Sequence, residues 1–353
     1  MTRALVLIIV AAFSSPAAPI TSLFFFGDSL SDTGNVYAAT SLLSALTLGL
    51  VPVQPASPPY YAGHFSNGPV WTETVAARLS HPGDAAPAGM SLGILGSLPG
   101  AGHNYAIGGA RTGVGGALGA LDSLIPTGVL AQVSYYLSGH AADPNAMYFL
   151  LGGGNDLRDA AAITDSTAQL QATYTAAFYL AYAVNALYQG GARHFMLLNA
   201  PNIGLVPESI NAGRVESGSF ASFYFNYFLD AYATYFSQLP GINLNFFDVY
   251  AYYNQVLADT FQGGQQFGFT SLTPCIDGAV SCDATLFFDT IHPTARMHAL
   301  LGNSVADQIL GSMTSSSLTS LSAATGSVPE PATGALVLVS MLAIAAIRRR
   351  PNR

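Results

Sequence analysis

Four short, nearly unbroken apolar runs punctuate the chain. Leu23-Phe24-Phe25-Phe26 ends on Gly27-Asp28-Ser29, Ala146–Leu151 on Gly152-Gly153-Gly154-Asn155-Asp156, and His194–Leu198 on Asn199-Ala200-Pro201-Asn202; Ile242–Val249 is the fourth. Runs this short and this continuous predict strands of a parallel sheet covered on both faces. The apolar spacing of Gln169–Tyr188, Phe220–Phe236 and Ala295–Leu310 predicts helices. Strands alternating with helices give an α/β fold, a three-layer α/β/α sandwich around a central parallel sheet. Sites in such sheets form at the carboxyl ends of the strands, where the glycine, asparagine and aspartate residues cluster. No internal repeat and no second domain interrupt the pattern. The dense aromatic stretch from Phe223 to Phe236 reads as a helix packed on the sheet in preference to an acyl-chain groove.

The two ends depart from this pattern. Arg3, the apolar run Ala4–Phe13 and the small residues after it have the order of an export signal, placed at 1–18. From 312 to 327 the chain turns to Ser, Thr, Ala and Gly, the composition of a linker, so the folded body is placed at 20–311. After it come Val328-Pro329-Glu330-Pro331, an apolar run from Ala332 to Ile347, and Arg348-Arg349-Arg350. The run is short for a membrane helix, and the arginines would hold its end in the cytoplasm. The order resembles the PEP-CTERM sorting signal of Gram-negative bacteria. That resemblance implies an exosortase as partner, cleavage near Pro329–Pro331, transient membrane anchoring by 328–353, and a final place in the periplasm, at the cell surface or outside the cell.

Charge and cysteines narrow the function. Between Ile20 and Ser327 six arginines face eighteen acidic residues, and the chain has no lysine. So acidic a body does not attract a phosphate backbone, which argues against nucleic acid as a partner. Cys275 and Cys282 are the only cysteines. In an exported chain they can close a small loop as a disulfide, and without further cysteines or a histidine cluster they do not suggest a metal site.

Four separated places carry candidate chemistry. Phe24–Asn35 puts Ser29 where a strand gives way to a turn, and Gly27 permits that turn; a helix starting there would favour negative charge nearby, although Ser29 could equally cap it. Asn104-Tyr105-Ala106-Ile107-Gly108-Gly109-Ala110 holds a glycine whose amide could approach a substrate. Asn155 follows a glycine run at a strand end, where its amide could point at a developing oxyanion. In Phe287-Phe288-Asp289-Thr290-Ile291-His292-Pro293 the acid and the imidazole lie three residues apart on one loop that Pro293 stiffens. Ester hydrolysis requires this set: a nucleophile, a base, a group orienting the base, and oxyanion donors.

The four places, in this order, resemble the GDSL or SGNH-hydrolase family of esterases and lipases from about Leu23 to Gln308. His64-Phe65-Ser66-Asn67-Gly68-Pro69-Val70-Trp71, Leu198–Gly204 and the Cys275–Cys282 loop are similar to the same family. The resemblance implies a flavodoxin-like sandwich, Ser29 as nucleophile, His292 as base, Asp289 as its orienting acid, and Gly109 and Asn155 in the oxyanion hole, with Gly108 as the neighbouring alternative to Gly109. It implies an acyl ester substrate, a lipid or a short-chain ester, and no cofactor. Deacetylation of a surface polysaccharide, acyl transfer to an acceptor other than water, and a non-catalytic surface protein on a hydrolase fold remain open. The other histidines, His64, His81, His103, His140, His194 and His298, are read as structural or surface residues.

Overall fold

Alternation along the strands decides the architecture. Phe24, Phe26, Tyr148, Leu150, Phe195 and Leu197 belong to one apolar core, whereas Leu23, Phe25, Met147, Phe149, Met196 and Leu198 belong to another. Successive side chains of a strand point to opposite faces, so a sheet apolar at every position must be covered twice. The computed structural model describes residues 20–318 except 93–95, 117–121 and 123–124. In it β1 (Leu23–Gly27), β4 (Met147–Leu151), β5 (His194–Leu198) and β6 (Asn243–Phe247) form a parallel sheet in the order β1-β4-β5-β6. A small antiparallel pair, β2 (Met90–Ser91) and β3 (Ser97–Leu98), stands apart.

The first face is covered by α3 (Val129–Gly139), α5 (Ser166–Gln189) and α7 (Val215–Ser237). The second is covered by α2 (Trp71–Arg78) and α9 (Ala295–Leu318). The chain is thus an α/β sandwich of three layers. The aromatic stretch lies in α7, which buries Phe225, Leu229, Tyr232 and Phe236 against the sheet and leaves Phe223 and Tyr227 exposed. The short α4 (Gly154–Ala160) follows β4 directly, and α1 (Asn35–Leu46), α6 (Pro207–Asn211) and α8 (Val249–Phe261) complete the order. The last predicted strand is shorter than its apolar run, because the Asp248 carboxylate accepts from the Ala251 amide and starts α8.

Residues 103–107 extend the sheet beyond β1. The Phe25 amide donates to His103 O, and the amides of Tyr105 and Ile107 donate to Phe25 O and Gly27 O. This segment follows β1 in sequence and lies on its outer side, whereas β4 lies on its inner side. The strand order therefore reverses at β1 and β4, the switch point where such sheets open a crevice. Gly27 serves this packing and not a turn: a Cβ there would lie 2.4 Å from Leu151 O on β4.

α9 runs seven residues into the segment expected to be a linker. The expected export signal at 1–18, the rest of that linker after 318, and the sorting signal at 328–353 lie outside the described residues. Among the described residues no helix is long and apolar enough to cross a membrane.

Candidate active site

Ser29 sits just past the end of β1, but no helix starts there. Residues 28–34 form a turn in which the amides of Ser31 and Asp32 donate to Asp28 O. The helix begins at Asn35, and its cap is the buried Asp32 carboxylate, which accepts from the amides of Gly34, Asn35 and Val36 at 2.8, 2.7 and 3.2 Å. Ser29 is therefore neither a helix cap nor at a helix N-terminus. Its hydroxyl is left to another partner, the Nε2 of His292 at 2.8 Å.

The loop between Phe288 and Ala295 is tied on both sides. Ser66 Oγ donates to Pro293 O, and Asn67 Oδ1 accepts from the Ala295 amide at 2.8 Å. Ser66 and Asn67 thus clamp the His292 loop. Within the loop, Asp289 Oδ1 accepts the amides of Ile291 and His292, and Asp289 Oδ2 lies 2.7 Å from His292 Nδ1. These bonds turn the carboxylate toward the ring and fix the tautomer with hydrogen on Nδ1, leaving Nε2 free to accept from Ser29.

A fourth member was not identified from sequence. Tyr60 donates its hydroxyl to Asp289 Oδ2 at 2.6 Å, from a loop 229 residues away. Its ring meets Phe288 edge-on at 5.1 Å. Burial alone would raise the Asp289 carboxyl. The hydrogen bond and charge of His292, the Tyr60 hydroxyl and the His292 amide together hold it well below the ordinary carboxylate range.

Opposite this row stand potential donors for an oxyanion. The Gly108 amide is taken by Asp32 Oδ2 at 2.8 Å. Gly109 follows in the left-handed region, φ 81°, and neither its amide nor that of Ser29 has an acceptor among the described residues. The two adjacent glycines, which spacing alone did not separate, thus differ in what their amides can reach. Asn155 occupies the first turn of α4. One hydrogen of its Nδ2 goes to Ala110 O at 2.9 Å, and its Oδ1 accepts from Arg158 Nη1 at 3.3 Å. Arg158 is itself held by a two-pronged pair with Glu208, both contacts at 2.7 Å, and the Glu208 amide donates to Thr290 O on the His292 loop. This relay, also invisible in the sequence, sets which way the Asn155 amide faces.

The buried Asp28 carboxyl lines the site, and the half-buried Asp156 carboxyl lies near it. Desolvation pushes Asp28 up to about 6, with the neighbouring Asp156 charge adding to the rise and the Leu30 amide opposing it. Desolvation also pushes Asp156 up to about 6, against the backbone and side-chain hydrogen bonds of Thr112. A pocket opens beside Ser29, Asn155 and His292 and is otherwise mostly apolar, with Ile203, Val206, Val249, Tyr253, Met297 and Leu301 in its wall. His298 also lines it, fully buried and pushed down to about 3 by burial and by the charges of His292 and His64. Of the remaining histidines, His64 lies 3.2 Å from Glu73, and His81 and His103 flank Asp84.

The loop after the pocket wall is closed by the Cys275–Cys282 disulfide. The amides of Cys275 and Ile276 donate to Phe288 O, so that loop abuts the strand-like segment that presents Asp289.

A family model described as GDSL-like lipase/acylhydrolase matches residues 23–305. The chain belongs to this family. A thermolabile hemolysin of Vibrio parahaemolyticus is 26% identical over 306 residues, 79% of this chain and 61% of the hemolysin. A phosphatidylcholine-sterol acyltransferase of Aeromonas hydrophila is 25% identical over 359 residues, 84% of this chain and 91% of the acyltransferase. The chain thus spans less than two thirds of the hemolysin but most of the acyltransferase. Est24, a carbohydrate acetylesterase of Sinorhizobium meliloti, aligns in structure over 82% of this chain and 98% of its own, with 16% identity and a TM-score of 0.43.

Proposed function

We propose that this protein hydrolyses carboxylic acyl esters through an acyl-enzyme on Ser29. The observation that carries the reading is the unbroken row Ser29 Oγ–His292 Nε2 at 2.8 Å and His292 Nδ1–Asp289 Oδ2 at 2.7 Å. His292 takes the Ser29 proton as Oγ attacks the ester carbonyl. The carbonyl oxygen becomes an oxyanion facing the amides of Ser29 and Gly109 and the second Nδ2 hydrogen of Asn155. As the tetrahedral species collapses, His292 returns the proton to the departing alcohol. A water then enters, gives its proton to His292, and releases the acid by the same path. Asp289 holds the ring and offsets its positive charge in both halves.

The apolar wall of the pocket supports a lipid acyl chain as the substrate group, in keeping with the relative named for acyl transfer from phosphatidylcholine. Water is the acceptor in this reading, and transfer to an alcohol uses the same residues. The test is a series of p-nitrophenyl esters of rising chain length, with phosphatidylcholine and an acetylated sugar beside them, given to the native protein and to Ser29→Ala. Acid release that a folded Ser29→Ala protein loses by three or more orders of magnitude is expected, as for removal of a serine nucleophile. Near-normal turnover by that variant would remove Ser29 from the mechanism.

The reading of 328–353 as a PEP-CTERM signal, handled by an exosortase after export, rests on its residue order alone. Fractionation of the native host with and without those residues tests it: loss of retention and processing on their removal is expected, and unchanged location would contradict it.

A further inference from the structure

Among the described residues the most exposed leucines lie together on one turn. Leu46 is 58% exposed, Leu48 95% and Leu50 87%. They crown an arm made of α1 and the chain that returns along it. The arm is tied internally by Thr40, whose hydroxyl accepts from the Gln54 amide at 2.9 Å. Both of its roots are in the active site. α1 starts at the Asp32 carboxylate beside Ser29, and the return chain ends at Tyr60 on Asp289. Twelve helical residues set the tip about 18 Å from the start of α1. Leu48, at φ 52°, and Gly49, at φ 86°, both turn left-handed at the crown. A leucine in that region is uncommon, and nothing in the fold's core gains from it.

We infer that this tip inserts into a neutral lipid surface and so holds the active site at the membrane or lipid interface where ester substrates collect. The shape favours a lipid phase: a convex crown of three leucines fills no groove, whereas an acyl layer closes around it. Charge favours the same occupant. Residues 33–72 contain no Asp, Glu, Lys or Arg, although the body around them is strongly acidic. The tip is thus the part of the molecule that approaches a surface without desolvating charge, and the acidic remainder opposes anionic lipid. Insertion extends the proposed ester hydrolysis by naming the physical state of its substrate, and it is measurable without catalysis.

The experiment uses the full chain with an environment-sensitive fluorophore on Leu48→Cys, and a second preparation labelled on Gln238→Cys at the far end of α7. Each is mixed with phosphatidylcholine vesicles and then with vesicles half phosphatidylglycerol. A blue shift at 48, quenched by spin-labelled acyl chains and absent at 238, is expected with phosphatidylcholine and weakens on the anionic vesicles. The signal comes from the tip itself, so attachment by the apolar run near the C-terminus does not mimic it. No shift at 48, or equal shifts at both sites, overturns the inference. A label at 48 already shielded without lipid also overturns it, since a segment of the chain or a second copy then covers the crown. In the kinetic arm, Leu48→Ser with Leu50→Ser loses at least tenfold in rate on long-chain ester presented in vesicles and keeps its rate on soluble p-nitrophenyl acetate. Equal rates on vesicles sink the docking role; loss of both rates together, with Ser29→Ala still active, points to failure of the hydrolase reading instead.

Discussion

Removing the Tyr60 hydroxyl isolates the part of the site that lies farthest from its partners in sequence. Tyr60→Phe keeps the ring against Phe288 and deletes one hydrogen bond of 2.6 Å to Asp289. A hydrogen bond to a charged acceptor contributes about 1.5–3 kcal/mol. Here Asp289 keeps His292 Nδ1 and two backbone amides, and Tyr60 is only half-buried, so the lower end applies. A loss of about 1–2 kcal/mol in transition-state stabilisation corresponds to roughly 5–30-fold in kcat/KM. The loss should appear in kcat, since the hydroxyl orients the acid and does not line the pocket. Stability shifts too. A depressed Asp289 pKa contributes stability that is present above its unfolded value and lost as pH falls through the folded one. Taking away one cause of the depression lessens that contribution, so the variant unfolds at a higher pH than the native protein on acidification. Steady-state kinetics on a soluble p-nitrophenyl ester, with circular dichroism followed from pH 7 downward, read both effects. A kcat/KM within twofold of native, or a change confined to KM, would refute the role assigned to Tyr60.

Asn155→Ala should lower kcat by roughly 10²–10³ with little change in KM, because an oxyanion donor acts mainly in the transition state; a rise in KM alone would make Asn155 a substrate contact. Asp28→Asn should stabilise the fold at pH 8. The Asp28 carboxyl is raised from 3.8 to about 6, so it favours the fold below its unfolded pKa and that contribution is lost as pH rises through 6. The shift corresponds to about 3 kcal/mol, and urea unfolding at pH 4 and pH 8 should show the variant's advantage only at the higher pH. Replacing both Cys275 and Cys282 by alanine opens a loop of sequence separation 7 and should cost about 2–3 kcal/mol of stability on the chain-entropy account; chemical denaturation checks the loss, and a kcat that falls with it would mean the loop also positions Asp289.

The sheet was legible because strands buried on both faces are apolar at nearly every position, as in Phe24–Phe26 and Met147–Leu151. The segment 103–107 was not, since its pairing to β1 leaves only Asn104 in a bridge and its residues are mixed. The apolar run of the fourth strand overstates its length because Asp248, within the run, caps a helix. Ser29, Asn155, Asp289 and His292 stand in motifs whose order along the chain is informative. Tyr60 and the Arg158–Glu208 pair stand in none. Their roles come from contacts across 229 and 50 residues, and no local periodicity encodes them. The segment His64–Trp71 is visible as a pattern in the sequence, but its work, clamping the His292 loop through Ser66 and Asn67, is visible only in the fold. His298, expected as structural or surface, is buried and lines the pocket.

In the proposed reaction Ser29 is the nucleophile and His292 activates it. Incubation of the native protein with a fluorophosphonate, followed by peptide mass spectrometry, tests it directly. One covalent adduct is expected, on Ser29, formed rapidly in the native protein and at least a hundredfold more slowly in a folded His292→Ala variant. An adduct on another residue, or labelling of Ser29 that is indifferent to the loss of His292, would contradict it.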